Sequence, residues 1–213
     1  VKSQFNGPEL YRWKSRLKSE GLSIMMRLEL RELLAPKVLL KKPFRWRECN
    51  LDKTREVSDI KQLVDWELVL ATDNVHSVLC ESPDENWKLV LPLLLEDLQQ
   101  LLRDALELIQ ELSDADAYSD HSYWDLPSIS PHWQNRGFHD WVSLIELLRD
   151  AWLACNDIDS SHAEQIAQNW FKLPYPTFKR LALFAASHDD CILSNQWVDW
   201  LLSDNAFWLW SID

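Results

Sequence analysis

Three glycines in 213 residues leave this chain very few places where the backbone can take a positive φ without steric cost. Tight hairpins, bulges and the loops that cradle phosphate all draw on glycine. An all-β fold and a nucleotide-binding loop are therefore disfavoured together. Leucine, glutamate, alanine, lysine and arginine fill the long segments instead, and these are the residues that helices prefer. The fold class predicted from this is mainly α, with a short strand or irregular segment around residues 37–80.

At 46% hydrophobic and 26% charged residues the chain is too apolar for disorder and long enough to bury a core. Thirteen tryptophans are the second outlier. Each ring can bury about 150–250 Å², so most are expected between helices, ahead of a tryptophan-rich binding surface. Cys49, Cys80, Cys155 and Cys191 form no CxxC pair. This opposes a zinc ribbon or a redox motif and fits free thiols in a reducing, cytoplasmic setting. The apolar run Leu89–Leu95 is too short to span a bilayer, so no membrane partner is expected.

Charge divides the chain. Residues 1–60 hold 14 Lys+Arg against 8 Asp+Glu, a net of +6; the remainder holds 8 against 26, a net of −18. An acidic body of this kind repels nucleic acid. The basic front is expected to dock on the acidic body or on an adjoining segment. The domain reading follows: a basic N-terminal segment over 1–80 and an acidic helical region over 81–213, with one continuous domain also open. The chain starts at Val1 and ends just past the apolar Phe207–Trp210 run, so it is expected to be part of a longer polypeptide.

Helices are predicted at residues 8–20 and 22–35, separated by Gly21. Trp66–Leu70 can be read as a helical turn or a short strand. Ser82, Pro83 and Glu85 match a capping box, and leucines from Leu91 to Leu112 then recur at spacings of three and four. Pro92 should kink this helix or mark its true start. A long connection covers 113–136, and its aromatic content predicts a packed loop. Further helices are predicted near 138–155, 161–172, 176–187, 194–203 and from about 205. Ser161 with Glu164 reads as a second capping box, Pro176 as a first-turn residue and Ser194 as an N-cap. The paired-helix starts lie about 33–38 residues apart, in the range of helical repeats. A HEAT-like α-solenoid is the preferred architecture, with an irregular helical bundle behind it.

The residues best placed for chemistry lie between Asp120 and Asp140. His121, Asp125, His132 and His139 are the candidate metal ligands, because imidazole and carboxylate bind borderline metals and exchange protons near neutral pH. Their spacing matches no helical metal motif, and Asp140 reads equally well as a helix cap. His188 follows a helix end and reads as a capping residue rather than a site. Candidate partner-binding residues are Tyr123, Trp124, Trp133 and Arg136 in the loop, and Arg45 and Trp46 in the basic, aromatic stretch Lys37–Arg47. That stretch is read as a protein contact in preference to a nucleic-acid contact. No cofactor is predicted.

Phe178–Ala186 (FKRLALFAA), Trp197–Leu202 (WVDWLL) and Phe207–Trp210 (FWLW) resemble the helical C-terminal regions of large bacterial multidomain proteins. Those proteins join an NTPase or sirtuin-like effector to a long helical array, and several are associated with phage defence. The resemblance covers about the last third of the chain and implies a sensing or scaffolding role, with chemistry located elsewhere. The functional expectation is a non-enzymatic interaction or sensor region that binds another protein or another part of its own chain. The alternatives are a metal-dependent hydrolase built on the 120–140 loop and a nucleic-acid contact through Lys37–Arg47.

Overall fold

A proline before it and a glycine after it delimit the first helix. In the computed structural model, which describes residues 8–41, 65–81, 84–112, 118–120, 122–135, 139–188 and 192–210, α1 spans Glu9–Glu20. Gly21 ends it at φ 73°, a conformation that suits glycine, and its N–H donates to the Leu17 carbonyl. Ser23 caps α2 (Ile24–Leu33), its Oγ accepting the Met26 N–H at 3.2 Å. Trp13 ties the pair together by donating its indole N–H to the Met26 carbonyl at 2.8 Å.

Trp66–Leu70 proves to be strand. β1 (Pro36–Lys41) pairs antiparallel with β2 (Asp65–Leu70) in a register that sets Pro36 opposite Leu70 and Lys41 opposite Asp65. Alternation along β2 sends Leu68 and Leu70 into the core, and this burial selects strand over helical turn. A single π-helical turn, His76–Cys80, follows and packs on α4.

α3 (Glu85–Glu111) carries the predicted stripe, with Leu91, Leu94, Leu95, Leu98, Leu101, Leu102, Leu106 and Ile109 buried. Its cap differs from the expected one. Asp84 Oδ1 accepts the Trp87 N–H at 3.0 Å, so the helix starts at Glu85 and Pro83 lies before it; Ser82 and Pro83 themselves lie outside the described residues. A carboxylate satisfies the free N–H groups and complements the positive helix end, which a serine two residues earlier cannot do. Pro92 lies inside the helix, not at its start.

α4 (Ser143–Ile158), α5 (Ser160–Lys172), α6 (Pro176–Ala186) and α7 (Ser194–Trp210) follow, each packed on the next, with α4 also lying along α3. α4 starts later than predicted because Asp140–Val142 forms a 3₁₀ turn ahead of it. The second capping box is also replaced: Asp159 Oδ1 accepts the His162 N–H at 3.0 Å, and Ser161 is already helical. Ser194 likewise lies within α7 rather than before it. α7 is broken at Ser203–Ala206, where Asp204, Asn205 and Ala206 take φ of 52–62°, so the two helical stretches predicted on either side of residue 204 are present. The mainly α fold class holds, with one small two-stranded sheet among the described residues.

One buried cluster runs from Leu10 to Trp200 and crosses the 80/81 boundary. Tryptophans join its layers. Trp152 of α4 lies 6.5 Å from Trp170 of α5 and 6.2 Å from Phe184 of α6, ring to ring. Their indole N–H groups are satisfied, Trp152 by the Ala163 carbonyl (3.0 Å) and Trp170 by Gln99 Oε1 on α3 (2.7 Å). The charge split is met partly within the chain: Arg27 and Arg31 of α2 both reach Asp97 of α3, and Lys18 reaches Asp84. Cys80 and Cys155 are free thiols, both raised by burial; Cys49 and Cys191 lie outside the described residues. No helix among the described residues is long and apolar enough to cross a membrane.

Candidate functional site

The connection before α4 is held from inside by buried polar groups. Asp120, 3% exposed, accepts from the Ser122 N–H (3.1 Å) and Ser122 Oγ (2.6 Å) through one oxygen, and from the Thr177 N–H (3.0 Å) through the other. It therefore fastens the loop to the first turn of α6. Arg180, one turn further along α6, donates to the Leu126 carbonyl at 2.6 Å and the Pro127 carbonyl at 3.1 Å. Arg149 of α4 donates to the Ile129 carbonyl at 2.9 Å. Asn135 closes the far end by bonding the backbone of Ser128 and Ser130. Irregular backbone that cannot pair with itself is satisfied here by side chains from two helices. The loop is packed, as its aromatic content predicts, but cations fasten it as much as rings do.

Within this frame Asp125 and His139 meet, carboxylate to Nδ1, at 2.5 Å. A cavity of about 340 Å³ lies on one side of the pair, walled by Trp66, Trp124 and Trp141 and by Glu67, Asp120 and Asp125. A second cavity, of about 330 Å³, lies beyond Asp125 and contains His76 and Glu146, 3.1 Å apart, with Glu81 at its edge. Burial holds the Glu146 carboxyl above the usual range, against the pull of His76 and Arg149. Asp140 is raised in the same sense, first by burial and then by Asp73 and Glu67.

The predicted ligand set is brought together only in part. Asp125 and His139 are partners. His132 lines neither cavity; it is exposed and accepts the Gln134 N–H at 3.3 Å. His121 lies outside the described residues. Among the described residues no group of three or more His, Cys, Asp or Glu is arranged to hold a metal. Of the partner-binding candidates, Trp124 and Trp133 are 69% and 81% exposed, and Tyr123 packs on Trp124 with ring centroids 5.1 Å apart. Arg136, Arg45 and Trp46 lie outside the described residues. His188 caps α6, its Nδ1 3.0 Å from the Phe184 carbonyl.

Sequence reasoning missed Trp66, Trp141, Arg149, Thr177 and Arg180. Arg149 left a trace, as the one cation of α4.

A separate groove of about 700 Å³ lies between the C-terminal halves of α2 and α3. Leu28, Arg31, Glu32 and Ala35 line one side at spacings that share a helix face; Leu101, Asp104, Leu108 and Glu111 line the other in the same way. Glu107 adds a further carboxylate to the rim. Arg31, the one cation among the described residues that line it, is engaged with Asp97. Beyond it, Ile24 and Met25 of α2 are 79% and 71% exposed. Comparison with family models, curated proteins and solved structures found no match to this chain.

Proposed function

We propose that this chain is a non-enzymatic helical interaction region whose docking surface is the α2/α3 groove. The observation that carries the reading is a groove with an apolar floor and an acidic rim between two helices. Leu28, Leu101 and Leu108 supply the floor, while Glu32, Asp104, Glu107 and Glu111 supply the rim. Two parallel stripes of this kind fit a third helix, which would bury apolar residues at spacings of three and four. Charge complementarity specifies the occupant as a basic amphipathic segment, from another protein or from elsewhere in the same polypeptide. The resemblance of the last third of the chain to helical sensing and scaffolding regions of bacterial multidomain proteins supports the same role, as does the array of successive helices behind the groove.

The test is a titration with a labelled synthetic helix carrying leucine at the anchor positions and lysine elsewhere, beside a version with glutamate in place of lysine. The lysine peptide is expected to bind, with affinity falling as salt rises. A Glu32→Lys, Glu111→Lys double variant should weaken it by about tenfold, since both side chains are exposed and their reversal leaves the core intact. Equal binding of the two peptides, or no change in the double variant, would reject the groove as the docking surface.

A further inference from the structure

The cavity beside the Asp125–His139 pair has a composition that docking in the α2/α3 groove does not use. Three tryptophans from three separate places in the chain line one space of about 340 Å³: Trp66 from β2, Trp124 from the turn Ser122–Trp124, and Trp141 from the turn before α4. Indole presents the most electron-rich face of the natural side chains, and cations are drawn to it. Among the described residues of the wall, the carboxylates of Glu67, Asp120 and Asp125 stand beside one imidazole, His139. Lys41 pairs with Glu67 at the hairpin and His139 with Asp125, while Asp120 is held by hydrogen bonds from Ser122 and Thr177.

This balance discriminates between ligand classes. An anion would meet the aspartates. A methylated ammonium group needs neither donors nor acceptors. It needs aromatic faces, nearby negative charge and partial removal from water, and all three are here. The two aspartates are 3% and 6% exposed and fixed in place, Asp120 by Ser122 and Thr177 and Asp125 by His139. Trp141 is 6% exposed and forms the rigid back of the space, whereas Trp124 stands mostly in solvent at its mouth. We infer that this cavity is a binding site for a trimethylammonium group, with Trp66, Trp124 and Trp141 as its walls and Asp120 and Asp125 as its charge.

Calorimetric titration of the whole chain with choline, with its neutral tert-butyl isostere and with a peptide carrying trimethyl-lysine tests this. The charged probes should bind at least about tenfold more tightly than the isostere, because shape is shared and only the charge differs. Trp124→Ala should weaken binding by at least about fivefold, with Trp124→Phe between the two. Trp133→Ala, an exposed tryptophan outside the cavity, should leave it unchanged. Trp124 contributes little to the core, and a matching circular dichroism spectrum would confirm that its variants fold. Tighter binding of the peptide than of choline would place the ammonium on a protein side chain; the reverse would place it on a free small molecule. No binding of either charged probe, equal binding of the isostere, or an unaffected Trp124→Ala would each overturn the assignment.

Discussion

The α2/α3 groove and the described parts of the loop, residues 118–120, 122–135 and 139–142, are both surface features of the same helical core, but different means hold them. The groove is closed from outside. Arg27 and Arg31 of α2, 39% and 44% exposed, reach across to Asp97 of α3, whose side chain is 10% exposed. The guanidinium ends of these pairs stay in contact with water and are screened by salt. The loop is closed from inside, by Arg149 and Arg180 at 7% and 6% exposure and by Asp120. There each hydrogen bond replaces water that cannot return if the partner is removed. The groove is thus held by cations that water reaches, and the described part of the loop by cations that water does not reach.

The sharpest way to break this contrast is Arg180→Met. It removes the donor to the Leu126 and Pro127 carbonyls without opening a large void. Urea denaturation should show a loss of about 3 kcal/mol, at the scale of breaking a buried charged network. A loss below about 1 kcal/mol would mean that the loop is not fastened from within. Asp97→Ala makes the matching cut in the groove and should cost about 1 kcal/mol at low salt, with the difference shrinking in high salt. Equal costs for the two variants would erase the distinction.

The smallest effect concerns pH. Burial raises the Glu146 carboxyl above its ordinary 4.5, so the folded chain holds this proton more tightly than the unfolded chain does. Stability from this group is therefore highest below about pH 4.5 and declines as pH rises through the raised folded value. Glu146→Gln should flatten that decline, and denaturation curves at acid and neutral pH would show a smaller difference between them than in the parent chain. An unchanged difference would remove Glu146 as its source.

Much of the framework was legible before any coordinates. The Leu91–Ile109 stripe sits where a period of 3.6 places it, and Gly21 ends α1 at a positive φ. The interruption near residue 204 fell where predicted, with Asp204 anchored by Lys179 at 3.2 Å and by the Trp208 indole at 2.8 Å. The cap positions were less legible. Asp84 and Asp159 displaced Ser82 and Ser161 because sequence shows candidate capping groups but not which one meets the free N–H groups. The candidate site was legible only as a neighbourhood. Asp125 with His139 is a medium-range pairing inside the suspected loop, but Asp120 with Thr177 and Arg180 with Leu126 join residues 57 and 54 apart.

The sequence by itself determined the helices, their approximate ends and the excess of tryptophan, because periodicity, propensity and backbone restriction act over a few residues. It also located the loop as the place to look. Only the tertiary structure decided which tryptophans lie wholly in the core, as Trp13, Trp87, Trp152 and Trp170 do, and which line a cavity, as Trp66, Trp124 and the buried Trp141 do. Indole serves either role equally well. Its role depends on what the packing of distant helices and a two-stranded sheet leaves in front of its ring, a property of the assembled fold rather than of any stretch of chain.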